Sequence, residues 1–343
     1  MALISTPITE MFGIKHPVLL AGSELVAAVT NAGGLGCLGG LGYTPKVMRQ
    51  QIQDIKAHLI DKNAPFGVDL ALPQVGGNAR KTNYDYTHGQ LPELIDVIIE
   101  EGTKLFVCAV GIPPRWAVEK LHKAGIVVMN MVGHPKHVAK ALSVGVDLIC
   151  AQAGEGGGHT GDLPASILIP ACVDEVKGKK SELTGGPIYV VGAGAIYDGR
   201  SLAANLMWGA QAVWVGTRFV AAVEAAAPKL HKESVVKSGF EDNIRTVIYS
   251  GRPLRVFKTP YVEEWETKRQ AEIQELCNRG VIPFQDDVEK HPENFIKGRP
   301  WLMGRVAALI DEVLPAKTIV DNMVNEAAEL LQSKARLVKS AKL

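Results

Sequence analysis

Eight short apolar runs, each followed by a stretch with helical spacing, fill the first 220 residues. They lie at residues 17–21, 35–38, 66–70, 105–110, 127–131, 148–152, 188–191 and 212–215. Most are apolar on both faces, as parallel strands covered by helices must be. Thr44-Pro45 opens one intervening helix, with Thr as N-cap and Pro at the first position. In residues 92–101, Leu94, Ile95, Ile98 and Ile99 fall at helical spacing. Helices are also predicted over 115–124, 135–144, 166–176 and 199–208. Repeated strand–helix units imply a parallel sheet. Eight of them match a (β/α)₈ TIM barrel by count, with a doubly wound sheet as the rival. A barrel takes about 250 residues. Residues 1–220 are therefore expected to form the barrel, and 221–343 a mostly helical extension packed on it. In that extension, 224–237 and 261–284 are predicted helical, and 286–299 is polar and rich in turn formers. Residues 301–337 carry an amphipathic pattern through Ile319, Val320, Met323 and Ala327.

Composition narrows the function. There are 37 Lys+Arg against 36 Asp+Glu, a net charge of +1, which argues against a nucleic-acid partner. No apolar run reaches the roughly 18 residues of a membrane span, and residues 1–10 lack the layout of a secretion signal. The five cysteines show no CxxC spacing, so no disulfide framework or zinc site is expected. Cys37, Cys108 and Cys150 sit in apolar runs as small buried hydrophobes, and a reducing compartment fits.

The 35 glycines cluster instead of spreading. Gln152-Ala153-Gly154-Glu155-Gly156-Gly157-Gly158-His159 follows the sixth predicted strand. In a parallel barrel this loop lies at the C-terminal face, where active sites sit. Its glycines let backbone N–H groups approach a ligand, and His159 has a pKa suited to proton transfer. Gly192-Ala193-Gly194 follows the seventh strand and Gly216-Thr217 the eighth. Loops at these two places commonly hold a phosphate. The three loops together describe a barrel holding a phosphate-bearing cofactor with His159 above it.

These segments carry a resemblance. With Asn31-Ala32-Gly33-Gly34-Leu35-Gly36, Pro65-Phe66-Gly67-Val68-Asp69-Leu70, Asp198-Gly199-Arg200 and Ser250-Gly251-Arg252-Pro253, the chain resembles the nitronate monooxygenase (2-nitropropane dioxygenase) family. The similarity runs from about residue 14 to 330. It implies an FMN cofactor, a nitronate or nitroalkane substrate, O₂ as oxidant and His159 as catalytic base. FMN phosphate would lie on Gly192, Ala193, Gly194, Gly216 and Thr217. The flavin ring would lie near Gln152, Gly157 and Gly158, with Asp69 a further candidate and Ala21 and Gly22 at the first loop. That loop is shorter than the family's, with Ser23-Glu24 placed as a helix start. Where relatives often carry Gln or Lys after the fifth strand, this chain has Met131-Val132-Gly133-His134. The motifs are shared with flavin-dependent NAD(P)H reductases of quinones and enoyl thioesters, the alternative activity. A cofactor-poor homologue without catalysis is a third.

Other residues are weighed against plainer roles. His134 and His137, three apart, are placed as surface or pocket-wall histidines and not as a metal pair. Residues 73–90, with His88, Tyr84 and Tyr86, are too long for a bare connector and read either as a lid or substrate wall or, equally, as an ordinary exposed loop. Trp208 and Trp214 are assigned to packing. Glu155 is assigned a structural role, since its carboxylate would repel an anionic nitronate. The end, Ala341-Lys342-Leu343, resembles a peroxisomal tripeptide, so a cytoplasmic or peroxisomal location is expected.

Overall fold

The protein is described by a computed structural model covering residues 3–22, 25–335 and 337. The barrel strands are Val18–Leu20, Gly36–Gly39, Phe66–Ala71, Leu105–Ala109, Val127–Val132, Leu148–Gln152, Tyr189–Ala193 and Ala212–Val215. They form one eight-stranded sheet, with every neighbouring pair parallel. The first strand pairs with the eighth through Val18↔Val213. A Leu19↔Leu35 bridge joins it to the second, with Leu20 N donating to Leu35 O at 2.9 Å and Leu35 N to Val18 O at 3.0 Å. The sheet closes on itself, so the fold is the TIM barrel and the doubly wound alternative is excluded.

Alternation along the strands decides the two cores. Leu19, Leu35, Cys37, Leu105, Val107, Met129, Leu148, Cys150, Val191 and Trp214 fill the barrel interior. Helix Pro7–Phe12 precedes the first strand and adds Ile8 and Phe12 to this core. Outward residues such as Val68, Phe106, Ile149 and Val213 pack beneath the surrounding helices. The predicted helices appear as Pro45–His58, Leu91–Glu100, Arg115–Lys123, Ala165–Val176 and Gly199–Met207, and 135–144 as a 3₁₀ turn, Pro135–His137, leading into the short α-helix Val138–Leu142.

Beyond residue 220 several expectations change. Helix 224–237 shortens to Lys229–Lys237, because Pro228 takes the N-cap. The expected helix 261–284 is three helices, Pro260–Lys268, Gln270–Arg279 and Pro283–Lys290. The breaks fall at Arg269, with non-helical φ −120 and ψ 22, and at Gly280, with φ 81. Segment 286–299 is not turns alone, since it holds the end of the third helix and Asn294–Lys297. Strands Asn243–Thr246 and Leu254–Phe257 form a hairpin around Ser250-Gly251-Arg252-Pro253.

The amphipathic stretch 301–337 splits into a 3₁₀ turn, Arg305–Leu309, and helix Ala316–Ala335. That helix packs on Gly199–Met207 and Val26–Asn31, the helices that follow the seventh and first strands. Ile319, Val320, Met323, Val324 and Ala327 join the barrel's outer core. Gly199 makes the fit possible: a Cβ there would meet Ala327 N at 2.5 Å. The chain leaves the barrel, builds a cap and returns to supply the helix that completes the ring.

Ser23, Glu24 and Ala341-Lys342-Leu343 lie outside the described residues. The first-loop helix is described from Val26, with Leu25 at its N-cap. Among the described residues, no helix is long and apolar enough to cross a membrane.

Candidate active site

The C-terminal ends of the strands open into a cavity of about 1600 Å³. His159, Ala21, Gly22, Asp69, Gln152, Gly157, Gly158, Gly194, Gly216 and Thr217 all line it. Gly192 and Ala193 do not, which corrects the expectation for the seventh strand. Gly192 lies within the ladders to Ala151 and Val213, and a Cβ there would sit 1.9 Å from Asn205 Oδ1. Ala193 points into the barrel core. The backbone turns toward the cavity only at Gly194, at φ +88.

The glycine loop is not loose. Gly158–His159 is a short strand that pairs antiparallel with Leu254–Phe257, extending the cap hairpin to three strands. Buried Arg255 donates to Gly154 O at 2.9 and 3.2 Å and to Asn243 Oδ1 at 3.0 Å, pinning the loop's start. A Cβ on Gly157 would meet Met303 C at 2.7 Å, so glycine is required where the cap crosses. Gly304 N in turn donates to Thr217 Oγ1 at 2.9 Å. Glu155 accepts from Ala165 N at 3.2 Å and so caps helix Ala165–Val176, a structural contact.

His159 Nε2 shares a 2.8 Å hydrogen bond with Ser250 Oγ. Burial, aided by the Arg252 charge, pushes the imidazole pKa down to about 4. His159 is therefore neutral at pH 7. In the sequence, Ser250 stands only within the resemblance segment Ser250-Gly251-Arg252-Pro253, 91 residues from its partner.

Arg252 enters the cavity from the same turn. Its Nε donates to Asn83 Oδ1 at 3.0 Å and its Nη1 to Val110 O at 3.2 Å. Asn83 belongs to the 73–90 segment, seven residues of which wall the cavity. Val110, just past the fourth strand, has φ 69, and Gly111 N donates to Ala109 O at 2.8 Å across it. This is a strained three-residue turn, rare for a β-branched residue. Gly111 cannot be larger, since a Cβ would meet Leu72 O at 1.9 Å.

Asp69 closes the cavity below Gly22, whose missing Cβ would lie 3.0 Å from Asp69 Oδ2. Asp69 Oδ1 is buried without a partner, and burial raises the carboxyl pKa to about 7. Asn130 also lines the cavity with an unpartnered Oδ1. Cys37, Cys108 and Cys150 are buried thiols whose pKa values burial pushes up, inert as expected. Trp214 packs into the barrel core and also reaches the cavity. His134 accepts from Lys136 N at 3.1 Å and caps the turn there. Among the described residues, no three metal-ligating groups cluster.

The cavity suits a flat, polar-edged cofactor. Unpartnered acceptors lie at Asp69 and Asn130. Gly216 opens onto the cavity, its nearest neighbour to a Cβ being Ala21 Cβ at 3.4 Å. Gly194 and Gly216 stand on neighbouring strands, with the Thr217 backbone beside them.

Comparison with known proteins places this site in a family. The nitronate monooxygenase family profile matches residues 5–326. A (3aS,4S,5R,7aS)-5-hydroxy-7a-methyl-1-oxo-octahydro-1H-indene-4-carboxyl-CoA dehydrogenase of Mycobacterium tuberculosis is 35% identical, covering 98% of this chain and 99% of the relative. A probable nitronate monooxygenase of Staphylococcus saprophyticus is 28% identical over 76% of this chain and 81% of its own. The structure of FabK from Thermotoga maritima superposes with a TM-score of 0.79 at 27% identity, covering 98% of this chain and 100% of that one. With barrel, glycine loops and His159 in place, the chain belongs to the nitronate monooxygenase family of oxidoreductases.

Proposed function

We propose that the protein is an FMN-dependent oxidoreductase that converts alkyl nitronates, such as propionate 3-nitronate, with O₂ to carbonyl compounds and nitrite. The observation that carries this is the neutral His159, hydrogen-bonded to Ser250 and flanked by Arg252, above a glycine-lined cavity. Gly194, Gly216 and Thr217 would hold the FMN phosphate. Ala21, Gly22, Gln152, Gly157, Gly158 and Asp69 would surround the ring. FMN, when bound, supplies the electron acceptor and the site of reaction with O₂.

The protein's own groups supply the rest. If Nε2 carries the proton toward Ser250, the lone pair of His159 is on Nδ1 and can take an α-proton. A base with a pKa of about 4 is weak for a neutral nitroalkane. A substrate that arrives as the nitronate needs no such transfer, and its negative charge suits Arg252. Glu155 accepts from Ala165 N at a helix start and is not among the residues that line the cavity.

A second reading is supported by size. Pockets for one drug-sized ligand run to about 300–1,000 Å³, and this cavity is about 1600 Å³. It has room for FMN and a second large ligand. Oxidation or NAD(P)H-dependent reduction of a bulky acyl thioester fits that space, as does the dehydrogenase relative's name.

Anaerobic mixing separates the two. Purified protein with bound FMN is mixed with a nitronate, with NADH or with an acyl-CoA, and flavin absorbance is followed. Bleaching by the nitronate alone is the expected result. Bleaching only by NADH or the thioester moves the protein to the second activity. A colourless protein that takes up no FMN is the cofactor-poor homologue.

A further inference from the structure

Two of the three acidic residues that line the cavity are already engaged. Asp162 pairs with Arg245 at 2.8 Å. Asp85 accepts from Thr87 N, Thr87 Oγ1 and Gly89 N at 2.7–2.8 Å within its own turn. Asp69 lies below Gly22, inside the strand ends, its carboxyl held partly neutral by burial. Two cavity-lining guanidinium groups remain without a carboxylate among the described residues, Arg252 and Arg80.

Their supports are unusual. Arg252 is half-buried and held by two neutral oxygens, Asn83 Oδ1 and Val110 O. The first is oriented because Asn83 Nδ2 donates to Gln74 O at 2.7 Å. The second is aimed by the strained turn at Val110. Arg80 is exposed and reaches Gly251 O at 3.4 Å, next to Arg252 in sequence. A half-buried cation without a counter-ion is costly to keep. Strain of this kind persists where the surrounding structure fixes it, and such positions cluster at ligand-holding sites. A planar guanidinium held at Nε and by one Nη1 hydrogen keeps its second Nη1 hydrogen and both Nη2 hydrogens, so the Nη1–Nη2 pair can fork onto two oxygens of a planar oxyanion.

We propose that Arg252, assisted by Arg80, grips a planar oxyanion of the substrate beside His159 and makes the enzyme selective for anionic substrates. The chemistry is shared by a nitronate and by a carboxylate elsewhere on the substrate. The inference deepens the proposed nitronate activity and rests on it for the identity of the substrate, though not for the existence of the subsite.

The test uses the full chain. Nitrate and propionate, two unreactive planar oxyanions, are titrated into wild type, Arg252→Met and Arg252→Lys by calorimetry, with thermal midpoints and flavin content checked. Wild type binds both. Arg252→Met weakens them at least about tenfold, and Arg252→Lys recovers part, having the charge without the fork. If Arg252→Met fails to fold, a loss of affinity in Arg252→Lys decides the matter. Anaerobic bleaching by ethyl nitronate and propionate 3-nitronate then locates the anion. Equal losses for both place the reacting nitronate on Arg252, and a loss for the second alone places the carboxylate there. Wild type that binds neither oxyanion, or a folded variant that binds them unchanged, overturns the proposal. Oxyanion binding lost in the variant, with no bleaching of wild type by either nitronate, keeps the subsite and removes the nitronate activity.

Discussion

At the residue scale, two titrating groups face the same cavity and pull in opposite directions. His159 is lowered from 6.5 to about 4, so the unfolded chain binds its proton more tightly. Its contribution to stability is lost as pH falls from 6.5 toward 4. Asp69 is raised from 3.8 to about 7, so its contribution is complete below 3.8 and is lost as pH rises toward 7. The two slopes offset each other across mildly acidic pH. Asp69→Asn removes one of them. The melting temperature of this variant, relative to wild type, should climb between pH 4 and pH 7 and level off above that. A constant gap would mean that Asp69 is not the buried acid described here. His159→Ala should cost about 10²- to 10⁴-fold in turnover of neutral nitroalkanes, the usual worth of a general base. It should cost less with preformed nitronates and leave flavin content intact. Steady-state rates on both substrate forms check this, and equal losses would remove His159 from proton transfer.

At the element scale, glycines that look alike in the sequence do different work. Gly192 is closed off by Asn205, whereas Gly216 opens onto the cavity. Gly216→Glu should therefore fold but purify with little FMN, because a carboxylate would face the phosphate. Gly192→Ser should instead lower stability, since a side chain would collide with Asn205 Oδ1. Flavin absorbance per protein and a thermal melt distinguish the two, and a flavin-replete Gly216→Glu would move the phosphate elsewhere.

The strands were legible because barrel strands are buried on both faces and read as unbroken apolar runs. Glycines and His159 were legible because chain position after a strand fixes which face they reach. Ser250, Asn83 and Val110 carried no such signal as neighbours of the site. Val110 O and Arg252 are 142 residues apart, and only the closed barrel and its cap bring them together. The cap helices were misjudged for a related reason. Their ends depend on Pro228, Arg269 and Gly280, where local breaks override a continuous charged-and-apolar pattern.

At the scale of the whole molecule, the last helix decides whether the barrel is complete. Met323 is 1% exposed between the helices that follow the seventh and first strands. Met323→Ala should cost about 2–5 kcal/mol, the range for emptying a buried Met site. Removing the chain from residue 316 onward should leave an insoluble barrel, because an apolar groove would be uncovered. Urea unfolding of the point variant and solubility of the truncated chain test this. A truncated chain that stays soluble with an unchanged unfolding midpoint would reduce the helix to an appendage.

The short strand Gly158–His159 has one more consequence, and it concerns time. Its partner Leu254–Phe257 is made nearly 100 residues later in synthesis, and Arg255 reaches back to Gly154 across 101 residues. Neither contact can form until the chain past residue 255 has been made. On the ribosome, the barrel strands can emerge and begin pairing while His159 still lacks both its hydrogen-bond partner and its roof. Cofactor capture should then trail the pairing of the barrel strands, making acquired flavin absorbance a clock for the docking of the cap.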